Sequence, residues 1–247
     1  NLQINELKKV KKVFNKSFVK AVDCILNCKG KIIFAGVGKS GLIARKISAT
    51  FSSVGIPSFF CDPTQASHGD MGQIEKKDLL LIFSNSGNTY ELTNMLKYAN
   101  RFGIKIIGVA SKSESLLLKA SDIKILLPKV KESDPTGMVP TSSTSIALLL
   151  GDCLATTIMY KKKFSKEKFK LYHSGGKIGE SLLLSKDIMI KGKKLPIIDY
   201  KKNLDGALKI INQKKLGIVV VLKKNYIEGL VTDGDLRRKR KVFSKKT

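Results

Sequence analysis

Short, nearly uninterrupted apolar runs alternate along the chain with stretches whose apolar positions recur three and four residues apart. The runs at 31–35 (KIIFA), 57–61 (PSFFC), 79–83 (LLLIF), 105–110 (KIIGVA) and 123–128 (IKILLP) predict buried strands. Between them, Leu42, Ile43, Ile47, Phe51 and Val54 mark one helix, residues 90–100 a second and 116–120 a third. Ahead of the first strand, Leu7, Val10, Val13, Phe14, Phe18, Val19, Val22, Ile25 and Leu26 keep helical spacing and predict one amphipathic helix over 4–28. A turn-rich stretch at 131–145 leads into a long apolar helix at 146–160. Such alternation predicts an α/β fold, a three-layer α/β/α sandwich around a parallel, doubly wound sheet. Near residue 184 the character changes. Short strand-like segments at 193–199, 216–222 and 226–232, with a helix at 203–212, predict a smaller mixed module over 188–240, then a frayed tail at 241–247. The large domain is expected over 1–184.

Two loops follow predicted strands and open predicted helices. The first is Gly36-Val37-Gly38-Lys39-Ser40-Gly41, the second Ser84-Asn85-Ser86-Gly87-Asn88-Thr89. Each would present backbone N–H groups at the positive end of a helix, where a phosphate binds well. Taken alone, the second loop equally suits a capped βα connection. The first is not a Walker A loop, because the required glycine would fall at position 33, which is Ile. It does satisfy GxGxxG, with Asp62 as a ribose-binding acid, which keeps a nicotinamide enzyme among the readings. In doubly wound sheets ligands bind outside the carboxyl ends of the strands, and both loops lie there.

Composition changes the picture little. With 46 Lys and Arg against 20 Asp and Glu the formal charge is +26, which raises nucleic-acid binding as a question. Only Arg45, Arg101, Arg237, Arg238 and Arg240 are arginines, and aromatics are not interleaved with them. Scattered lysine of this kind reads as a solvated surface, so no specific nucleic-acid partner is expected. Cys24, Cys28, Cys61 and Cys153 form no CxxC pair and read as free thiols rather than zinc ligands. The charged start of the chain lacks an apolar signal core, and 146–160 carries Asp152 in its middle, so a cytoplasmic protein with no membrane partner is expected.

The ordered set GVGKSG (36–41), FSSVGIPSFF (51–60), HGDMG (68–72), SNSGNTYE (84–91), PTSSTS (140–145), GD (151–152) and HSGG (173–176) resembles the sugar isomerase (SIS) family, and within it the arabinose-5-phosphate isomerases. GLVTDGDLRR at 229–238 resembles the first of the two CBS motifs that follow the isomerase domain in those enzymes. The resemblance implies an aldose–ketose isomerase interconverting ribulose 5-phosphate and arabinose 5-phosphate through an enediol, in the route to Kdo and lipopolysaccharide. It implies no cofactor and no metal, a sugar phosphate as ligand, and a homotetramer. By the same resemblance Ser84, Ser86, Thr89 and Ser40 hold the phosphate and His68 lines the pocket. Lys39 supplies a fixed charge, Glu91 orients substrate or Lys39, Glu132 moves the proton, and His173 assists ring opening or proton shuttling, from a neighbouring subunit. Three departures stand out: Asn88 where the family has Glu, Ser174 where it has Pro, and no second CBS motif. The competing reading is a sugar-phosphate-binding regulator without catalysis, which needs the hydroxyl loop but not the base.

Overall fold

The computed structural model describes residues 1–173 and 184–243. The chain divides into two compact units, Asn1–Leu182 and Leu183–Thr247.

The first unit opens with α1 (Leu2–Leu7), a 3-10 stretch (Lys8–Val13) and α2 (Lys16–Leu26). The single helix expected over 4–28 is therefore broken. Asn15 leaves the helical conformation and its side chain accepts from Ser17 N at 2.8 Å, so a strong cap overrides the apolar periodicity. Phe14 and Val19, counted as core positions by their spacing, are exposed.

Then follow β1 (Ile32–Gly36), α3 (Gly38–Ser53), β2 (Ser58–Phe60), α4 (Pro63–Ala66) and β3 (Leu79–Phe83). A 3-10 turn (Tyr90–Leu92) leads into α5 (Thr93–Phe102), and the predicted helix over 90–100 is these two pieces. The unit continues with β4 (Lys105–Ala110), α6 (Leu116–Ala120), β5 (Ile123–Leu126), α7 (Ser142–Lys161) and α8 (Lys166–Tyr172). The five strands form one parallel sheet in the order β2-β1-β3-β4-β5, as expected of a doubly wound fold.

Every residue of β1 and β3 is buried, because both faces of the sheet are covered. Alternate side chains serve alternate cores. Ile32, Phe34, Leu81 and Phe83 pack with Ile47 and Phe51 of α3 and with Ile146, Leu150 and Leu154 of α7. Ile33, Ala35, Leu80 and Ile82 pack with Met95 and Leu96 of α5 and Leu117 of α6. By length and composition α7 is long enough to span a membrane, but half of that window is buried, and its apolar character serves this core.

Where α3 crosses α7, a Cβ on Gly151 would strike Ile47 Cδ1, and Lys46 Nζ meets Asp152 Oδ1 at 2.5 Å. The glycine lets the two helices approach closely.

The second unit contains α9 (Ser185–Ile188), β6 (Ile197–Asp199), α10 (Leu204–Lys214), β7 (Ile218–Lys223), β8 (Tyr226–Thr232) and α11 (Asp233–Phe243). β7 pairs parallel with β6 and antiparallel with β8. Ile198, Ala207, Ile211, Val219 and Leu236 form its small core. Thr232 and Asp235 cap α11 reciprocally: Thr232 N donates to Asp235 Oδ2 at 3.0 Å and Asp235 N to Thr232 Oγ1 at 3.3 Å. Bonds from Thr232 and Arg238 hold the Asp235 carboxyl down at about 2.

At the amino end of the large sheet Asp78 is buried, with Oδ1 accepting from Lys31 N at 2.7 Å and Oδ2 from Glu75 N at 2.9 Å. This carboxylate ties the entry of β1 to the turn before β3. Asp78→Ala removes the acceptor of both part-buried donors, and we expect a loss of about 2 kcal/mol in chemical denaturation. Asp78→Asn, which keeps an acceptor for Lys31 N, is expected to lose roughly half as much.

Candidate active site at the carboxyl ends of the first and third strands

β1 and β3 are neighbours in the sheet, with Gly36 opposite Phe83, but their connections run to opposite sides: β1 leads outward to β2, β3 inward to β4. This is the topological switch point, where a crevice opens outside the strand ends.

Gly36 makes the turn possible. A Cβ there would lie 2.9 Å from Phe83 O, and one on Gly41 would lie 2.5 Å from Gly36 O. Gly38 starts α3 at φ +59°, a conformation that favours glycine. The helix therefore begins directly beneath the crevice, with Lys39 and Ser40 in its first turn.

The second loop is locked from inside. Ser84 is buried; its Oγ lies 2.9 Å from Thr89 Oγ1 and accepts from Gly87 N at 3.0 Å. Gly87 has φ +67°, and a Cβ there would strike Ser115 Oγ. Asn88 Oδ1 accepts from Leu116 N at 2.8 Å, which pins the loop to the start of α6.

A cavity of about 310 Å³ occupies the crevice. Lys39, Ser40, Ser84, Asn85, Ser86 and Thr89 line it from the two loops. Pro140, Ser143 and Thr144 line it from the start of α7, while Ile43, Val109 and Leu127 make an apolar wall. Two helix starts and a hydroxyl-rich turn thus converge on one small volume, an arrangement suited to a phosphate ester. Lys39 forms no ion pair with any described residue, so its charge remains available to an anion.

Five of the residues expected at the site therefore meet: Lys39, Ser40, Ser84, Ser86 and Thr89. Ser84, however, spends its hydroxyl on the loop's own geometry. Glu132 does not itself line the cavity, but it bonds Ser143, which does. Its Oε2 accepts from Thr141 N at 2.8 Å, Thr141 Oγ1 at 3.0 Å and Ser143 N at 3.2 Å, which caps α7. Its position is set by buried Glu6, whose Oε2 accepts from the preceding Lys131 N at 3.0 Å. Burial pushes the Glu132 carboxyl up, but the bonds from Ser143 and Thr141 outweigh it and hold it below the usual carboxylate range.

Glu91, His68 and His173 do not line the cavity. Glu91 is exposed in the 3-10 turn that follows Thr89, and His68 is exposed after α4. His173 stacks on Phe169 with centroids 3.7 Å apart, and its Nδ1 lies 3.0 Å from Phe169 O. The rest of its motif, 174–176, lies outside the described residues. Asp62, the ribose-binding acid of the dinucleotide reading, instead caps α4 by accepting from Thr64 N at 2.9 Å.

Ser143, Thr144 and Pro140 lie outside the set of site residues expected from the sequence. The hydroxyl run at 141–145 is the available signal, but it reads equally as a helix cap. Burial raises all four cysteine thiols, Cys61 to about 11, so they stay protonated.

Comparison with known proteins adds an independent finding. The SIS domain matches residues 25–157. Arabinose 5-phosphate isomerase KdsD of Pseudomonas aeruginosa is 43% identical over 223 residues, 90% of this chain and 68% of that protein. The chain belongs to the SIS family. A further relative, uncharacterized protein RP505 of Rickettsia prowazekii, is 43% identical over 222 residues, 90% of this chain and 69% of that protein. The solved structure of Escherichia coli CFT073 c3406 in complex with arabinose 5-phosphate superposes with a TM-score of 0.66 at 38% identity, covering 70% of this chain and 93% of that one. The SIS match spans both loops and the first part of α7, the three segments that build the cavity.

Two outcomes are expected of this SIS domain. Ser84→Ala leaves Gly87 N without its buried acceptor and should cost about 1–2 kcal/mol in chemical denaturation. Because the folded Glu132 carboxyl sits below its ordinary value, its contribution to stability is present above the usual carboxylate range and lost as pH falls through the lower folded value. Denaturation midpoints measured down that acid window should fall less steeply for Glu132→Gln than for the parent.

Proposed function

We propose that the chain is an aldose–ketose isomerase that interconverts D-ribulose 5-phosphate and D-arabinose 5-phosphate, supplying Kdo and lipopolysaccharide synthesis. The carrying observation is the convergence of Lys39, Ser40, Ser86, Thr89 and the start of α7 on one cavity, in a chain 43% identical to an arabinose 5-phosphate isomerase. The pocket is small, with an anion-binding end and an apolar wall, which suits a pentose phosphate held by its phosphate.

The reaction opens the sugar and moves a proton between C1 and C2 through an enediol. The hydroxyls of Ser40, Ser86 and Thr89 and the loop N–H groups hold the phosphate, and Lys39 balances its charge. Glu132 carries the proton. Its Oε2 is fixed in the helix cap by Thr141 and Ser143, at the point where α7 enters the cavity wall. A carboxylate held below its usual range is a restrained base, so the proton transfer depends on positioning more than on basicity. His173 acts in ring opening from a neighbouring subunit of a homotetramer, which accounts for its place outside the cavity of its own chain. Glu91 orients Lys39, and His68 closes the pocket rim. No cofactor takes part. The second unit, with its β-α-β-β-α order, is a single CBS motif over 188–240, and the protein works in the cytoplasm.

The test is formation of arabinose 5-phosphate from ribulose 5-phosphate. The parent should turn over. Glu132→Gln should lose about 10²- to 10⁴-fold in kcat, the usual share of a general base, and Lys39→Met should chiefly raise KM. Full activity in Glu132→Gln would reject its role. Binding of ribulose 5-phosphate without turnover by the parent would move the reading to a sugar-phosphate-binding regulator.

A further inference from the structure

The first helix turns a polar pair toward the protein. Gln3, Glu6, Leu7 and Val10 recur at helical spacing along α1 and the 3-10 stretch that follows. That face is the covered one: Glu6 and Val10 are buried, Gln3 and Leu7 half-buried, while Leu2 and Ile4 are exposed. Leu7 and Val10 pack on the core, as an inward face should. Glu6 breaks the pattern. Among the described residues only Glu6 and Asp78 are charged and buried, and Asp78 holds strand entries at the amino end of the sheet.

A carboxylate taken out of water is costly unless it is bonded, and an aliphatic side chain at position 6 would cover the same face without that cost. What the carboxylate holds therefore accounts for its place. Glu6 Oε2 accepts from Lys9 Nζ at 2.6 Å and from Lys131 N at 3.0 Å. The bond from Lys9, and after it the one from Lys131 N, keeps the group below the usual carboxylate range. One turn earlier on the same face, Gln3 Nε2 donates to Ser145 Oγ at 2.9 Å. The contacts of Glu6 and Gln3 cross 125 and 142 residues of chain.

They fall at the two ends of one segment. Lys131 stands immediately before Glu132, and Ser145 follows Ser143 and Thr144, which line the cavity with Pro140. Between these anchors the segment closes on itself. Ser133 N and Ser133 Oγ donate to Thr141 Oγ1 at 2.8 and 3.0 Å, and Glu132 Oε2 accepts from Thr141 and Ser143. Residues 135–140 are exposed, so little core packing fixes the stretch. Its placement depends on the closing bonds and on α1.

We propose that α1 is a positioning element of the candidate active site, in which Glu6 and Gln3 hold both ends of the 131–145 segment so that Glu132, Ser143 and Thr144 stand where the reaction needs them. The inference rests on the isomerase reading above, with Glu132 carrying the proton. Glu6 and Gln3 line no part of the cavity and act through the Lys131 peptide and the Ser145 hydroxyl. A reacting group displaced by about 1 Å loses about 10²-fold in rate, so an anchor outside the cavity is felt in kcat.

The test combines turnover of ribulose 5-phosphate by the full chain with amide hydrogen exchange at Lys131. Glu6→Ala leaves Lys131 N without its acceptor. It should lower kcat by about tenfold or more with a much smaller change in KM, because the phosphate-holding loops are untouched. The acid limb of its kcat/KM profile should move up toward the ordinary carboxylate range as the bonds on Glu132 loosen. Glu6→Gln keeps an oxygen for Lys131 N and should recover most of the parent's kcat. Lys9→Gln, which removes only the ion pair, and Asp78→Ala, which loosens the opposite end of the sheet, should both keep it. Where Glu6→Ala does not fold, Gln3→Ala, which frees the Ser145 end alone, should lower kcat in the same sense. The Lys131 amide should be protected from exchange in the parent and in Glu6→Gln and unprotected in Glu6→Ala. The proposal is overturned by parental kcat and pH profile in the Ala variants, by an equal loss in Asp78→Ala, by no recovery in Glu6→Gln, or by an unprotected Lys131 amide in the parent. Glu132→Gln is measured alongside: full activity there rejects the isomerase reading and this inference with it, whereas its loss beside a fully active Glu6→Ala rejects the role of α1 alone.

Discussion

The site depends on the direct pairing of β1 with β3. Because these two strands lie side by side while their connections diverge, the loops that leave them face a common space that no helix fills. Pairing this close to the strand ends leaves no room for side chains at the turn, and Gly36 and Gly41 are the consequence: a Cβ on either would collide with backbone oxygen. The third wall arrives from far along the chain. It is placed by the close approach of α7 to α3 at Gly151 and Ile47, on the face where Phe34, Leu81 and Phe83 form a common floor. The hydrophobic core thus determines where Ser143 and Thr144 stand, and a void opened under Ile47 would be felt at the cavity.

Glu132 shows how much of a helix start can rest on one carboxylate. Three donors on a single oxygen give the start of α7 its cap and hold the group ionised. The same bonds fix the carboxylate in place and lower its affinity for a proton. Glu6 extends this support by one step, since its bond to Lys131 N sets the backbone from which Glu132 projects.

Much of this was legible in the sequence. The strand runs at 31–35, 79–83 and 105–110 contain apolar residues on both faces, and only a covered parallel sheet buries both. The glycines and hydroxyls of the two loops mark strand-to-helix turns of one kind. Other features turn on contacts that spacing does not encode. The break at Asn15 follows from a single side-chain bond beating nine well-spaced apolar residues. The capping role of Glu132 needs the return of the chain at Thr141, nine residues later. Ser143 looks like any residue of a capped helix until α7 is laid against α3. His173 illustrates a different limit, since its surroundings within one chain are Phe169 and the end of α8.

Asn88 carries the physical reasoning one step further. The family pattern has a carboxylate here, and an amide keeps the contact that shapes the loop while removing the charge. Its Oδ1 holds Leu116 N as a Glu or Asp oxygen could, so the loop remains tied to α6. Asn88 does not line the cavity, so the side chain at this position acts on the site through the path of the loop, by way of the α6 contact, and the next carboxylate along the loop is Glu91, exposed beyond Thr89.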